Sequence, residues 1–223
     1  MTKLYLSRVL IDATRCPTGA YPYNLRRAHG FIYSLFGDLK DTRLLWSDES
    51  ERLRNAQRQE YSKMFMVLSP SLPELSSSKV PWCHIDSLPI GERFLSHPVY
   101  AFSLKACCTR NVPNNQKKTG TADRRKVAIT DPEELTKWLS RQFTKGGCTL
   151  LRHELMGRTA LSVRHTSDDK NTITLNSCTF RGVFRVEERR AFISLFTGGI
   201  GRGKAYGLGL LQIAPVSDFT NED

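Results

Sequence analysis

The sequence contains no long hydrophobic run. No stretch approaches the roughly 18 consecutive apolar residues that a membrane-spanning helix requires, so we expect no membrane segment. The first residues also lack the pattern of a secretory signal, because Arg8 and Asp12 interrupt the apolar stretch early. We therefore expect a cytoplasmic protein.

Cysteine pairs at metal-binding spacing are also missing. None of the six cysteines forms a C-x-x-C pair, and Cys107 and Cys108 are adjacent. His84 follows Cys83, but no second pair lies at the spacing of a zinc site. In a reducing compartment the simplest expectation is free thiols. We expect neither a bound metal nor a cofactor.

Acidic residues are scarce relative to basic ones. The 223 residues include 33 Lys and Arg against 22 Asp and Glu, which gives a net charge of +11. The surplus is concentrated in residues 101–223, which hold 20 basic and 12 acidic residues. Within residues 105–126 the only acid, Asp123, faces seven cations: Lys105, Arg110, Lys117, Lys118, Arg124, Arg125 and Lys126. This segment predicts a polyanion partner; the alternative is a solvated loop with no partner.

The first half of the chain begins with a strand and a helix. β-compatible residues predict a strand at 5–11, and apolar residues at helical spacing predict a helix over 23–36, with Pro22 in its first turn and Gly37 at its end. Strands are expected at 43–46 and 63–68, and the polar stretch 47–59 between them is helix or loop.

A proline-rich linker near Pro89–Pro98 separates the second half. The helix start Asp131-Pro132-Glu133-Glu134 predicts a helix that ends at Gly146-Gly147. The other elements expected here are strands at 99–107, 149–155, 159–165, 172–185 and 207–213 and a helix at 187–196. Each half thus follows the order β-α-β-β-α-β. We predict an α+β protein with two tandem ferredoxin-like (βαββαβ, RRM-like) domains, residues 1–95 and 99–223. The alternative is one larger α+β domain.

One flank of the first helix carries reactive side chains. His29, Arg26 and Tyr33 lie at i, i−3 and i+4, so they share a flank beside the apolar stripe. An imidazole moves protons near neutral pH, and a guanidinium stabilises developing phosphorane charge. The three side chains could therefore act on one phosphodiester. The alternative is a boundary histidine with no catalytic role.

Glycine is concentrated near the C-terminus. Five glycines lie between Gly198 and Gly207, with Arg202 and Lys204 among them. Glycine allows a backbone to approach a phosphate and to expose successive N–H donors. The stretch fits neither a Walker loop, because Ala205 follows Lys204, nor G-x-G-x-x-G. A plain turn is the alternative.

The C-terminal stretch GGIGRGKAYGLGLLQIAP resembles the glycine-rich signature of repeat-associated (RAMP-superfamily) RNA-processing proteins, specifically the CasE type of CRISPR-repeat endoribonuclease. Three further stretches resemble that family in order. They are LYLSRVLI with the helix ending SLFGD, then LLWSDES, then GTADRRKVAITDPEELTKWLSRQFTKGGCTLL. The resemblance spans nearly the whole chain.

The resemblance implies a metal-independent ribonuclease that cuts the CRISPR repeat at the 3′ base of its hairpin. The upstream 2′-OH attacks the phosphate and leaves a 2′,3′-cyclic phosphate and a 5′-OH. The product crRNA hairpin stays bound, and the protein joins the Cascade complex. The family's catalytic histidine lies seven residues before the Phe of its "LF" pair, which here is His29 before Phe36. Relatives often place a Tyr three residues before the histidine, whereas this chain has Arg26, so its partner is Arg26, Tyr23 or Tyr33.

RNA hairpins are held chiefly through phosphates and shape. Besides the seven cations above, we expect RNA contacts from Arg158, Arg164, Gly199, Gly201, Arg202, Gly203 and Lys204. The runner-up function is a non-catalytic RAMP-type scaffold that binds crRNA. A DNA-binding regulator is disfavoured, because no helix-turn-helix pairing is evident. The sequence does not decide whether His29 acts as acid or as base.

Overall fold

A computed structural model describes residues 3–37, 44–55, 60–74, 80–113, 124–164 and 172–216. Its strands are β1 (Tyr5–Ile11), β2 (Leu45–Asp48), β3 (Lys63–Ser69), β4 (Cys83–Pro89), β5 (Val99–Cys107), β6 (Thr109–Pro113), β7 (Arg124–Ala128), β8 (Cys148–Arg164), β9 (Thr172–Val186) and β10 (Leu211–Pro215). Its helices are α1 (Leu25–Ser34), α2 (Ser50–Asn55), α3 (Glu92–Leu95), α4 (Pro132–Lys145) and α5 (Arg189–Gly198). None of the described helices is long and apolar enough to span a membrane.

The first sheet is antiparallel and has the strand order β2-β3-β1-β4. This is the strand order of a ferredoxin-like unit. The second helix of this half lies in the polar stretch between β2 and β3, whereas a regular unit places it between β3 and β4. The described residues between β3 and β4, 70–74 and 80–82, form no helix. Prolines at positions 70, 73 and 81 oppose one there.

The second sheet has the order β10-β5-β9-β8, again antiparallel. With α4 after β5 and α5 after β9, it completes a βαββαβ unit, and β6 and β7 form a separate hairpin before α4. The predicted α+β class with two ferredoxin-like units is confirmed. The helix predicted from Asp131 is also confirmed, because the Asp131 side chain caps α4 by accepting from the Glu134 N–H at 2.8 Å.

Two strand predictions in the second half are wrong in their bounds. The segments 149–155 and 159–165 form the single strand β8, because a bulge at Met156 lets the strand continue past Gly157. The last strand begins at Leu211, later than predicted. Gly207 and Gly209 have φ values of 76° and 87°, which strand backbone does not adopt.

The hydrophobic core joins the two sheets. Leu45 and Leu68 of the first sheet belong to the same buried cluster as Leu104, Phe180 and Phe184 of the second. A second cluster lies between α1 and the first sheet, around Trp46. The halves therefore share buried apolar surface, and the boundary at residues 95–99 stays a prediction.

Candidate active site

Helix α1 begins at Leu25, two residues after the position that the sequence predicts. Asn24 is its N-cap, and the Asn24 Oδ1 accepts from the Arg27 N–H at 2.9 Å. Pro22 and Tyr23 therefore precede the helix. The buried face of α1 carries Ala28 and Ile32, and this face leaves the side chain of His29 on the flank.

His29 is half-buried at that flank. Its imidazole lies against the ring of Tyr33, with 4.4 Å between ring centroids and 48° between planes. Burial lowers the pKa of His29 below its ordinary value of 6.5, and a backbone hydrogen bond with Ala205 offsets part of that shift. The Nδ1 atom is buried without a hydrogen-bond partner among the described residues. Such an unmet polar atom is costly and is typical of sites that act on a ligand.

The three candidate partners of His29 occupy different environments. Tyr33 contacts the imidazole, and its hydroxyl accepts from the Leu44 N–H at 3.3 Å, which fixes the ring. Arg26 is exposed. Tyr23 is 61% exposed, and the Arg27 guanidinium lies 4.9 Å from its ring centroid. Tyr33 is thus the candidate that positions His29, whereas Arg26 and Tyr23 face solvent.

The glycine-rich loop, defined as residues 199–209, closes over α1 and contains a 3₁₀ turn at Lys204–Tyr206. Its ends are pinned, because the Ile200 N–H donates to the Gly209 carbonyl at 2.9 Å and the Gly209 N–H donates to the Lys105 carbonyl at 2.7 Å. The loop brings Ala205 to His29 from the far end of the chain. Sequence reasoning missed Ala205 because no local pattern links the two positions.

Several glycines of this loop are required by its own packing. Gly199, Gly201 and Gly203 have φ between 69° and 80°, a region that other residues rarely adopt. At Gly207 (φ 76°) a Cβ atom would lie 2.6 Å from the Trp46 ring. The Gly199 N–H is also engaged, with the Leu195 carbonyl at 2.9 Å. Backbone contact between this loop and phosphate stays a prediction.

The predicted RNA-binding cations are spread over several surfaces. Arg125 and Lys126 are exposed on β7, and Arg110 on β6 lies 3.5 Å from the Glu134 carboxylate. Arg202 is exposed on the glycine-rich loop, where Lys204 is partly buried. Lys117 and Lys118 lie outside the described residues, and only the backbone is described for Arg124 and Arg164.

Two of these cations have protein acceptors. The Lys105 ammonium donates to the Asp48 carbonyl at 2.9 Å, across the two halves of the chain. Exposed Arg158 donates to the Thr130 carbonyl at 2.7 Å, next to the β6–β7 hairpin. Lys105 therefore belongs to the junction between the sheets, and Arg158 remains at the basic surface.

Comparison with known proteins identifies the family. The sequence matches the family described as "CRISPR associated protein" over residues 4–215. The chain belongs to this family. This membership confirms the CRISPR-associated resemblance that the sequence motifs predict.

Two curated relatives carry more specific names. "CRISPR-associated endoribonuclease Cse3" of Thermus thermophilus is 32% identical over 110 residues, which are 45% of this chain and 52% of the relative. "CRISPR system Cascade subunit CasE" of Escherichia coli K12 is 29% identical over 122 residues, 53% of this chain and 59% of the relative. The chain thus spans somewhat over half the length of the curated relatives it matches.

Solved structures share the fold across nearly the whole chain. Thermus thermophilus Cse3, bound to an RNA representing a pre-cleavage complex, superimposes with a TM-score of 0.74 at 21% identity, covering 96% of this chain and 100% of that one. Escherichia coli Cas6e gives a TM-score of 0.64 at 21% identity, with 95% and 100% coverage. These likenesses support the tandem ferredoxin-like architecture of this CRISPR-associated protein.

Proposed function

We propose that this protein is a metal-independent endoribonuclease that cuts the hairpin repeats of CRISPR precursor RNA. It then keeps the 3′ hairpin of the crRNA bound as a subunit of a Cascade complex. The observation that carries the proposal is the half-buried His29, held between Tyr33 and Ala205 where α1 meets the glycine-rich loop. The relatives named as an endoribonuclease and as a Cascade subunit support it.

The lowered pKa of His29 favours a base role. Because burial disfavours the imidazolium, the neutral ring predominates at pH 7 and can accept a proton. In the proposed reaction His29 removes the proton of the 2′-OH, the 2′-oxygen attacks the adjacent phosphorus, and the bond to the 5′-oxygen breaks. The products are a 2′,3′-cyclic phosphate and a 5′-OH. Exposed Arg26 lies one turn before His29 and can stabilise charge on the phosphate.

The basic surface of the second half would hold the RNA. The exposed cations Arg125, Lys126 and Arg158 lie on or next to the β6–β7 hairpin. A structured RNA hairpin presents phosphates at fixed spacing, which suits such a rigid basic element. Because several phosphates would be engaged, binding should weaken steeply with salt.

The decisive test compares wild-type protein with His29→Ala on the cognate repeat RNA in the presence of EDTA. We expect wild type to cut and the variant to lose about 10²- to 10⁴-fold in single-turnover rate, the usual contribution of general acid–base catalysis. Affinity for the RNA should change little. Binding without cleavage by wild type would support the scaffold function instead, and wild-type cleavage by His29→Ala would exclude His29 as the base.

A further inference from the structure

A cleft of about 350 Å³ lies at the junction of the two halves, beside the candidate active site. Its walls come from α1, the segment from β2 to α2, β3, β5, β8, β9 and the glycine-rich loop. Leu25 on this wall is one helical turn, about 6 Å of rise, before His29. Tyr206, which also lines the cleft, directly follows the Ala205 that bonds the imidazole. The cleft therefore begins next to the proposed base.

The lining offers an aromatic ring and many hydroxyl groups. Tyr206 is partly buried and packs against the small cluster around Leu208. The hydroxyl groups of the wall belong to Ser50, Ser62, Thr159, Ser177 and Thr179. Hydroxyls both donate and accept hydrogen bonds, so they can pair with the polar edge of a nucleobase. An aromatic ring beside such groups is typical of sites for unstacked RNA bases.

The lysines of the cleft are already paired. Lys63 Nζ lies 3.0 Å from Asp48 Oδ2, and Lys105 Nζ lies 2.9 Å from the Asp48 carbonyl oxygen. Burial alone would raise the pKa of Asp48, but the Ser50 hydroxyl and Lys63 hold it below its usual range, so the carboxylate stays charged. Glu51 adds a second acid to the wall. Paired lysines beside two carboxylates disfavour a phosphate and favour a ligand with amino groups.

We propose that this cleft binds one unpaired nucleobase of the RNA, adjacent to the phosphate that is cut, with the Tyr206 ring as its stacking partner. This inference rests on the proposed function, because it assumes RNA at His29. Its volume is at the lower end of small-molecule sites, which suits a single base. Occupancy would draw the chain past the imidazole and would restrict which nucleotide flanks the cut.

The test is a cycle between protein and RNA. Hairpin repeat RNAs are made with a 2′-deoxy nucleotide before the cut, to prevent cleavage, and with single abasic positions among the unpaired nucleotides on either side of it. Affinities are measured at fixed salt for wild type, Tyr206→Leu and Tyr206→Phe. Leucine keeps apolar volume against Leu208 but cannot stack a base, whereas phenylalanine keeps the ring. Leu88→Ala, at a 69% exposed position on β4, is the control.

We expect Tyr206→Leu to bind the intact RNA about 5- to 150-fold more weakly, the usual range when one base stack is removed. Tyr206→Phe and Leu88→Ala should match wild type. At one abasic position wild type should show the same weakening, and Tyr206→Leu should bind no more weakly there, because both changes remove the same stack. Additive effects at every position, or unchanged binding by Tyr206→Leu, would overturn the inference. Failure of wild type to bind or cut intact repeat RNA would instead refute the proposed function.

Discussion

At the scale of single residues, His29 depends on its surroundings more than on its own position. Helical spacing alone places Tyr33 beside it, because residues i and i+4 share a flank, and the 4.4 Å ring contact agrees. The sequence could not predict that Ala205 reaches the imidazole, because that contact depends on how distant parts of the chain meet. It also could not separate the exposed Tyr23 from Tyr33.

The lowered pKa of His29 predicts the direction of its pH dependence. The folded pKa lies below 6.5, so between the two values the unfolded chain binds more protons. The contribution of His29 to stability is therefore complete above pH 6.5 and declines as pH falls below it. Titration of the His29 ring by NMR, assigned with a His29→Gln variant, should show a midpoint below 6.5. A midpoint at or above 6.5 would contradict the buried environment.

Substitutions of Tyr33 should separate its ring from its hydroxyl. Tyr33→Phe removes only the bond from the Leu44 N–H, for which we expect a destabilisation of about 1 kcal/mol and nearly normal cleavage. Tyr33→Ala also removes the ring that packs on His29, so the cleavage rate should fall further and the pKa of His29 should rise toward 6.5. Chemical denaturation, single-turnover cleavage and NMR titration measure these effects. Equal cleavage rates for the two variants would argue against positioning by the ring.

At the scale of elements, the glycine-rich loop is the part that sequence reasoning located without explaining. The density of glycines predicts an unusual backbone, and five positive φ values confirm it. Close packing against Trp46 could not be predicted, since β2 and this loop come from opposite halves of the chain. Helix α4, by contrast, was predictable because its cap, first-turn acids and terminal glycines are all local.

Gly207→Ala should destabilise the protein by at least about 2 kcal/mol, because it combines an unfavourable φ with overlap of the Trp46 ring. Gly198→Ala is the matched control, since a Cβ atom there meets nothing within 4 Å. The control should stay within about 0.5 kcal/mol of wild type. Chemical denaturation measures both, and equal effects would show that the loop does not pack as described.

Cations of the β6–β7 hairpin should set the salt dependence of RNA binding. For each phosphate that Arg125→Ala or Lys126→Ala no longer engages, the slope of log K against log salt should become shallower by about 0.7–0.9. Lys145→Ala, in the last turn of α4, is the control and should leave the slope unchanged. An unchanged slope in the two hairpin variants would place the RNA elsewhere.

At the scale of the whole molecule, the strand orders of the two sheets follow from the repeated βαββαβ pattern, but their common core does not. Leu45 and Leu68 read as ordinary strand residues of the first half, yet they pack with the second half. Periodicity shows which side chains are buried and not what covers them. The irregular second helix of the first half was also beyond prediction, because the 47–59 stretch is largely polar.

The shared core predicts one cooperative unfolding transition. Leu68→Ala at a 3% exposed position should cost about 2–5 kcal/mol and should shift the whole transition, not that of one half. Circular dichroism and tryptophan fluorescence, followed during denaturation, should coincide in both proteins. Two separated transitions would show that residues 1–95 and 99–223 unfold independently.

The chemistry of the cut end tests the central claim most directly. Repeat RNA is incubated with wild type in EDTA, and the 3′ end of the upstream product is analysed by mass spectrometry. The account predicts a 2′,3′-cyclic phosphate from wild type, none from His29→Ala, and no cleavage of RNA carrying a 2′-deoxy nucleotide before the cut. A 3′-hydroxyl end, or cleavage of the 2′-deoxy RNA, would contradict attack by the 2′-OH with His29 as base.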